Sequence, residues 1–376
     1  MAGRVPAIAS GMKPGSQPES GIPEVRKGQG DVQLARAEFD RRFREQFYDP
    51  AFGGLQEQIG QLADVAWDGY TKYRKSPVTQ PAGAGFADPD YQLSNEWRAA
   101  RDAINDAERV HGMPGAASRV LLICGAARSD QTCPGEMSKT FRMVTLAREL
   151  LERQHIEVDL LDLSRETSEY GRRIFPCKGC VSTAMPLCHW PCSCYPNYAM
   201  GQVNDWMHEL YPRFVAAHGL MIVTPVYWYQ APTVLKSLID RLVCADGGNP
   251  DPTTTHGKDP KLAKQLELEG WDYPRHLAGR AFSVVVHGDA AGIENLRRML
   301  VDWLTDMHLV AAGASAQLDR YVGYYESYAA SHVAFDRDAA LHEEVRNAAR
   351  ELAMKINSIR SEAYMSELPL PGPRPK

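Results

Sequence analysis

No apolar run in this 376-residue chain approaches the roughly 20 residues that a membrane-spanning helix requires, so no membrane partner is expected. The opening segment, MAGRVPAIASGMKPGSQPES, lacks the apolar core of a secretion signal, and a cytoplasmic location is the expectation. An excess of positive charge is missing too. Lys and Arg number 42 against 47 Asp and Glu, a net charge of −5, so no basic excess points to nucleic acid, although a local basic patch is compatible with that balance. We find no internal repeat. Apolar residues at 44% and charged residues at 24% exclude a disordered or collagen-like chain and point to a globular protein. The length suits two or three domains, or one domain with long additions.

Cysteine is present but unevenly placed. Of the eight, five (Cys177, Cys180, Cys188, Cys192 and Cys194) fall within 18 residues. A reducing compartment disfavours disulfides, so metal or redox chemistry is the better reading of that cluster. Cys124, Cys133 and Cys244 are expected to pack as small apolar groups.

Residues 1–30 read as a mobile tail and 31–115 as a helical extension. Residues 116–320 read as an α/β domain with a cysteine-rich insert at 176–196, and 321–376 as a closing helix and a Pro-rich tail. In the extension, Phe39, Phe43 and Phe47 recur every fourth residue, and Ser76–Pro89 is a breaker-rich connector. In the α/β domain, short apolar runs predict strands at Val120–Cys124, Ile156–Leu161, Leu220–Thr224, Phe282–Val286 and Leu309–Ala314, alternating with helical patterns. That alternation predicts a parallel sheet covered on both faces, with ligands bound beyond the carboxyl ends of its strands.

The loop after the first strand runs from Gly125 to Thr140. It matches neither G-x-G-x-x-G nor G-x-x-x-x-G-K-S/T. It is rich in hydroxyls and opens a helix, a setting for a monoester phosphate or, more simply, for a Ser or Thr helix cap. Arg128 adds a cation that would pair with phosphate. After the third strand come Pro225, Val226, Tyr227, Trp228 and Tyr229. After the fourth come His287, Gly288 and Asp289, where Gly288 permits close backbone approach. The turn-dense loop Asp246–Pro260 is either a cap over a ligand or a partner subunit, or a plain surface excursion.

Thr224-Pro-Val-Tyr-Trp228, followed by Leu235, Lys236, Ile239, Asp240 and Arg241, resembles the T-P-V/I-Y-W/F and L-K-x-x-I-D-R pattern of flavodoxin-like NAD(P)H:FMN oxidoreductases. The resemblance covers about residues 119–315. It implies a flavodoxin-like, doubly wound, five-stranded parallel sheet of order 2-1-3-4-5, bound FMN, and a homodimer or larger assembly. A flavin ring has apolar faces on which Tyr227 and Trp228 can pack, and a polar edge that backbone at Pro225 and Val226 can meet. By analogy Ser129, Thr132, Ser138 and Thr140 contact the phosphate beside Arg128 and Lys139, and Gly288 approaches the ribityl chain and ring edge. His287 and Asp289, less usual in that loop, either position a substrate or carry a proton, or else serve as a structural His and a capping Asp. Asp240 and Arg241 read as an internal ion pair at a helix end.

The cysteine spacing is C-x2-C-x7-C-x3-C-x-C. Iron–sulfur flavoproteins, a branch of the same family, carry a compact cysteine motif in this region that holds a 4Fe–4S cluster. Soft thiolates suit a cluster or zinc, and the alternative is thiols without metal, buried or acting as a redox-active pair. The leading expectation is an FMN-dependent oxidoreductase taking electrons from NADH or NADPH to a small-molecule or protein acceptor, with no dedicated catalytic acid or base. The rivals are an electron carrier with protein partners and a zinc-stabilised binding protein.

Overall fold

The computed structural model describes residues 22, 24–324 and 326–364. Most of the 1–30 tail and the Pro-rich end from Leu368 lie outside the described residues. Before the sheet come three helices, α1 (Arg36–Arg44), α2 (Gln56–Thr71) and α3 (Asn95–His111), with a short antiparallel ribbon, Thr79–Pro81 against Gln92–Ser94, between α2 and α3. Ser94 starts α3 by accepting the Trp97 N–H at 3.1 Å, a standard cap.

The sheet follows the chain as β1 (Arg119–Cys124), α4 (Lys139–Arg153), β2 (Glu157–Asp162), α5 (Met207–Ala216), β3 (Gly219–Pro225), α6 (Thr233–Arg241), α7 (Pro260–Leu268), β4 (Ala281–Gly288), α8 (Ile293–Asp306) and β5 (Gln317–Tyr321). Helices α9 (Tyr328–Arg337) and α10 (Ala339–Arg360) close the described chain. The strands pair in parallel, in the order β2-β1-β3-β4-β5.

Both faces of the sheet are buried, which is why β1, β3 and β4 read as continuous apolar runs. Leu121, Ile123, Leu220, Ile222, Phe282 and Val284 point to the side covered by α3, α5, α6 and α8. Val120, Leu122, Met221, Val223 and Val285 point to the side covered by α4 and α10. The period-2 alternation of Cβ directions thus feeds two cores at once.

The fifth position departs from the expected Leu309–Ala314. Only Val310–Ala311 pairs there, against Ala281 and Phe282. The chain then steps out at Gly313 (φ 155°) and through a short turn, and Gln317–Tyr321 takes up the pairing with Val284–Gly288. No helix among the described residues is long and apolar enough to cross a membrane.

Candidate active site at the carboxyl rim

Parallel pairing brings the ends of β1, β3 and β4 to one rim. Two glycines let their backbones close up. A Cβ at Gly125 would lie 2.6 Å from Thr224 Oγ1, and one at Gly288 would lie 2.6 Å from Val226 Cγ1. The Val226 N–H donates to the His287 carbonyl at 2.9 Å, so the β3 and β4 loops leave the sheet joined.

Between these loops and the start of α4 is a cleft of about 270 Å3. It is lined by Ala126, Arg128, Ser138, Lys139, Thr140, Pro225, Val226, Tyr227, His287, Gly288 and Asp289. Ten of the thirteen residues expected around FMN therefore face one cavity. Ser138 caps α4, accepting the Phe141 N–H at 3.1 Å. Arg128, Lys139 and the α4 N-terminus make one end electropositive, and Pro225, Val226 and Tyr227 make another wall largely apolar. Lys139 is also held by Ser331 of α9, and burial lowers its pKa.

Thr140 Oγ1 sits 2.8 Å from His287 Nε2, tying the first loop to the fourth. Burial, reinforced by Lys139, pulls His287 down to about 3, so its ring is neutral near pH 7. Its Nδ1 is buried without a hydrogen-bond partner among the described residues. An orphaned imidazole nitrogen on the wall of a cleft with one cationic end fits a ligand that carries both a phosphate and polar ring atoms, as FMN does.

Three expected contacts are elsewhere. Ser129 and Thr132 close a turn on themselves: the Ser129 N–H donates to Thr132 Oγ1, and that hydroxyl donates to the Ser129 carbonyl, both at 2.9 Å. Trp228 is 95% exposed, at the tip of a two-residue turn closed by Tyr227 and Gln230. Trp228 and Tyr229 have φ of 46° and 69°, the left-handed pair that such a turn demands and that bulky residues rarely adopt. This turn aims Trp228 outward, so only Tyr227 of the expected aromatic pair lines the cleft. Ala126, which sequence reading passed over, also lines it, and the run of small residues Gly125-Ala126-Ala127 was its signal.

The loop from Asp246 to Pro260 does not line the cleft. It clamps the cysteine segment to the N-terminal extension. Asp251 accepts the Ala87 N–H at 2.8 Å, Thr253 Oγ1 accepts the Asp88 N–H at 3.0 Å, and the Asn249 N–H donates to the Cys188 carbonyl at 2.7 Å. Arg241 pairs with the buried Asp205 rather than with Asp240, which meets Lys236 at the surface. Cys124 and Cys244 are buried, as expected, and burial pushes the Cys124 thiol up to about 12. Cys133 is exposed.

Cys180, Cys192 and Cys194 lie next to one another within the cysteine segment. Among the described residues, no group of three His, Cys, Asp or Glu side chains is placed to hold a metal ion. Cys180 and Cys194 approach to 3.7 Å, and Lys258 Nζ contacts both sulfurs, at 3.3 and 3.0 Å. The ammonium takes the place a bound cation would need. Burial holds the Cys188 thiol protonated. A hydrogen bond with Cys194, with burial, does the same for Cys192, and Cys177 accepts the Gly179 N–H at 3.4 Å. With Lys258 between Cys180 and Cys194, the arrangement does not by itself bear out the cluster or zinc ion expected from the spacing. Cys180 differs from the others: its hydrogen bond with Cys194 and the Lys258 charge, against burial, hold it at about 6.

Comparison with known proteins finds relatives among flavoproteins. The iron–sulfur flavoprotein of Methanosarcina thermophila is 28% identical over 125 residues, 33% of this chain and 52% of the relative. The chain thus spans about half the length of that curated relative. Among solved structures, RosB with a bound 8-demethyl-8-formylriboflavin-5'-phosphate intermediate is 14% identical, covering 66% of this chain and 82% of its own, at TM-score 0.44. FerB, an NAD(P)H:(acceptor) oxidoreductase of Paracoccus denitrificans, is also 14% identical, covering 64% and 98%, at TM-score 0.37. The sequence model of NADPH-dependent FMN reductases matches residues 118–321, more than half of the chain, and the protein belongs to that family.

Proposed function

We propose that the protein is an FMN-dependent oxidoreductase that uses NADH or NADPH and delivers electrons to a small-molecule or protein acceptor. The observation that carries this reading is the single rim cleft, cationic at one end and apolar along one wall. Bound FMN would supply the redox chemistry, exchanging hydride with a nicotinamide and electrons with an acceptor.

The chain's own part is binding and orientation. Arg128, Lys139, the Thr140 hydroxyl and the α4 N-terminus hold the phosphate. Gly125 and Gly288 let the rim loops pack against Thr224 and Val226, which fixes the walls around the ligand. Tyr227 and Val226 present an apolar surface to the ring. His287, neutral and fixed by Thr140, offers its second nitrogen to a polar ring edge. No side chain is needed as a general acid or base, so positioning is the main contribution of the protein. A homo-oligomeric assembly belongs to the same proposal, and light scattering of the purified protein tests it.

Purified protein should carry FMN or take it up, and anaerobic NADH or NADPH should bleach the visible flavin band. Protein that neither carries nor accepts flavin would overturn the reading. Bleaching absent from a yellow protein would instead favour the electron carrier.

Two substitutions probe the cleft. Arg128→Ala removes a charge-assisted contact and should raise the FMN Kd by roughly tenfold or more. Thr140→Val keeps the shape, frees His287 and should weaken FMN by about tenfold. Flavin fluorescence quenching on apoprotein reads both. Wild-type affinity in both variants would remove the phosphate from this end of the cleft.

A further inference from the structure

Two of the clustered thiols have an arrangement of their own. Cys180 begins a short turn, and Cys194 lies 14 residues later in the same segment, yet their sulfurs are in contact at 3.7 Å. Lys258 reaches both from the separate loop after β3 and α6, a distance of 64 and 78 residues along the chain. The loop that carries it is pinned on both sides by the bonds from Asn249, Asp251 and Thr253, so the contact is built into the fold. Cys180 is partly exposed while Cys194 is buried. On its other side Lys258 lines a cleft of about 420 Å3, together with Lys75, Trp97, Ser193 and Tyr195.

Two sulfurs in contact need only side-chain rotation to reach bonding distance, about 2 Å. Lys258, in contact with both sulfurs, sets a positive charge beside whichever sulfur carries negative charge as it attacks or leaves. Exposure assigns the order, because an incoming disulfide meets Cys180 first.

We propose that Cys180 and Cys194 form a redox-active dithiol that exchanges with small-molecule disulfides, with Lys258 as its positioning residue. The Cys180 thiolate attacks one sulfur of an external disulfide. That S–S bond breaks, a mixed disulfide forms, and one external thiolate leaves and takes up the proton Cys180 has given up. Cys194 then loses its proton and attacks the Cys180 sulfur. The Cys180–Cys194 bond forms, the mixed bond breaks, and the second external thiolate leaves with the proton from Cys194. Two protein thiols are oxidised to one disulfide, and one external disulfide is reduced to two thiols. None of these residues lines the rim cleft, so the inference stands apart from the flavin reading.

The test uses the full chain with its flavin, purified without oxygen, and begins with iron, zinc and sulfide analysis. The protein is then equilibrated with mixtures of reduced and oxidised dithiothreitol, quenched in acid, alkylated and peptide-mapped. A Cys180–Cys194 cross-link that rises and falls with the dithiothreitol ratio is the expected result. Lys258 stabilises the reduced form, so Lys258→Met should shift the exchange constant about tenfold or more toward disulfide, and Lys258→Arg should restore most of it. Stoichiometric metal that shields these thiols from alkylation would overturn the proposal. So would a Cys192–Cys194 cross-link in place of the expected one, or no cross-link at any ratio. The wild-type map decides even where a variant fails to fold.

Discussion

Asp205→Ala should lower the stability of the protein by about 3–5 kcal/mol, the largest single-residue effect expected outside the apolar core. Arg241 and Asp205 are 1% and 0% exposed, joined by two hydrogen bonds, one of them at 2.9 Å. Removing the carboxylate leaves a guanidinium enclosed without its counter-charge, and an Arg cannot escape by deprotonating. The same guanidinium donates to the Phe175 carbonyl at 2.9 Å and lies 4.8 Å over the Tyr195 ring, while Tyr195 donates to the Pro176 carbonyl at 2.6 Å. The pair therefore pins both ends of the cysteine segment to the end of α6. In urea unfolding, Asp205→Ala should move the midpoint sharply, and Asp205→Leu with Arg241→Met should recover much of the loss, because an apolar pair of similar volume avoids the desolvation penalty. A single variant that loses less than about 1 kcal/mol would mean that water reaches the pair.

That pair also marks the limit of what the sequence could say. The sheet was legible because β1, β3 and β4 are buried on both faces and must be apolar throughout. The rim was legible because parallel strands end together, so loops far apart in sequence had to meet. The pairing of Arg241 was only half legible. Its place in L-K-x-x-I-D-R suggested an internal ion pair, but a partner 36 residues upstream, in a segment with no regular periodicity, leaves no local trace. The same holds for Lys258 and the thiols. β5 was misplaced for a different reason. Gln317-Leu-Asp-Arg-Tyr321 is a half-buried edge strand whose charges are spent on Arg297 with Asp319 and Arg320 with Glu344, so it reads as polar chain, while the apolar Leu309–Ala314 run supplies only two paired residues. Trp228 was misdirected because spacing gives residue type but not the sign of φ. Ser129 and Thr132 were read as ligand contacts because a hydroxyl that serves its own loop looks the same in sequence as one that serves a ligand.

Acid should unfold this protein earlier than its carboxylates alone would require. His276 is held to about 4, by burial first and then by Arg280 and His111. His287 is held to about 3 by burial and Lys139. His189 lies well below its ordinary value through burial, Lys258 and Lys75. Their neighbours explain why the neutral ring is preferred. Tyr211 Oη meets His276 Nδ1 at 2.9 Å, Trp190 stacks on that ring at 4.2 Å, and Glu108, 3.7 Å from Nε2, is exposed and weakly felt. Thr255 and Ser193 hold His189 from both sides. Above about 6.5 folded and unfolded chains both keep these rings neutral, and the stability tied to them is complete. As pH falls from there toward 4, the unfolded chain takes up protons that the fold refuses, so stability drops. It is fully lost only once pH passes below the folded values. His276 and His287 together put on the order of 5 kcal/mol into that window, comparable with the whole stability of many domains. Urea midpoints should be level from pH 8 to 7 and fall steeply between 6 and 4.5, and His276→Gln should flatten the slope by about one proton. Equal midpoints at pH 7 and pH 5 would show that these rings are protonated in the fold, and with that the neutral His287 of the candidate active site would go as well.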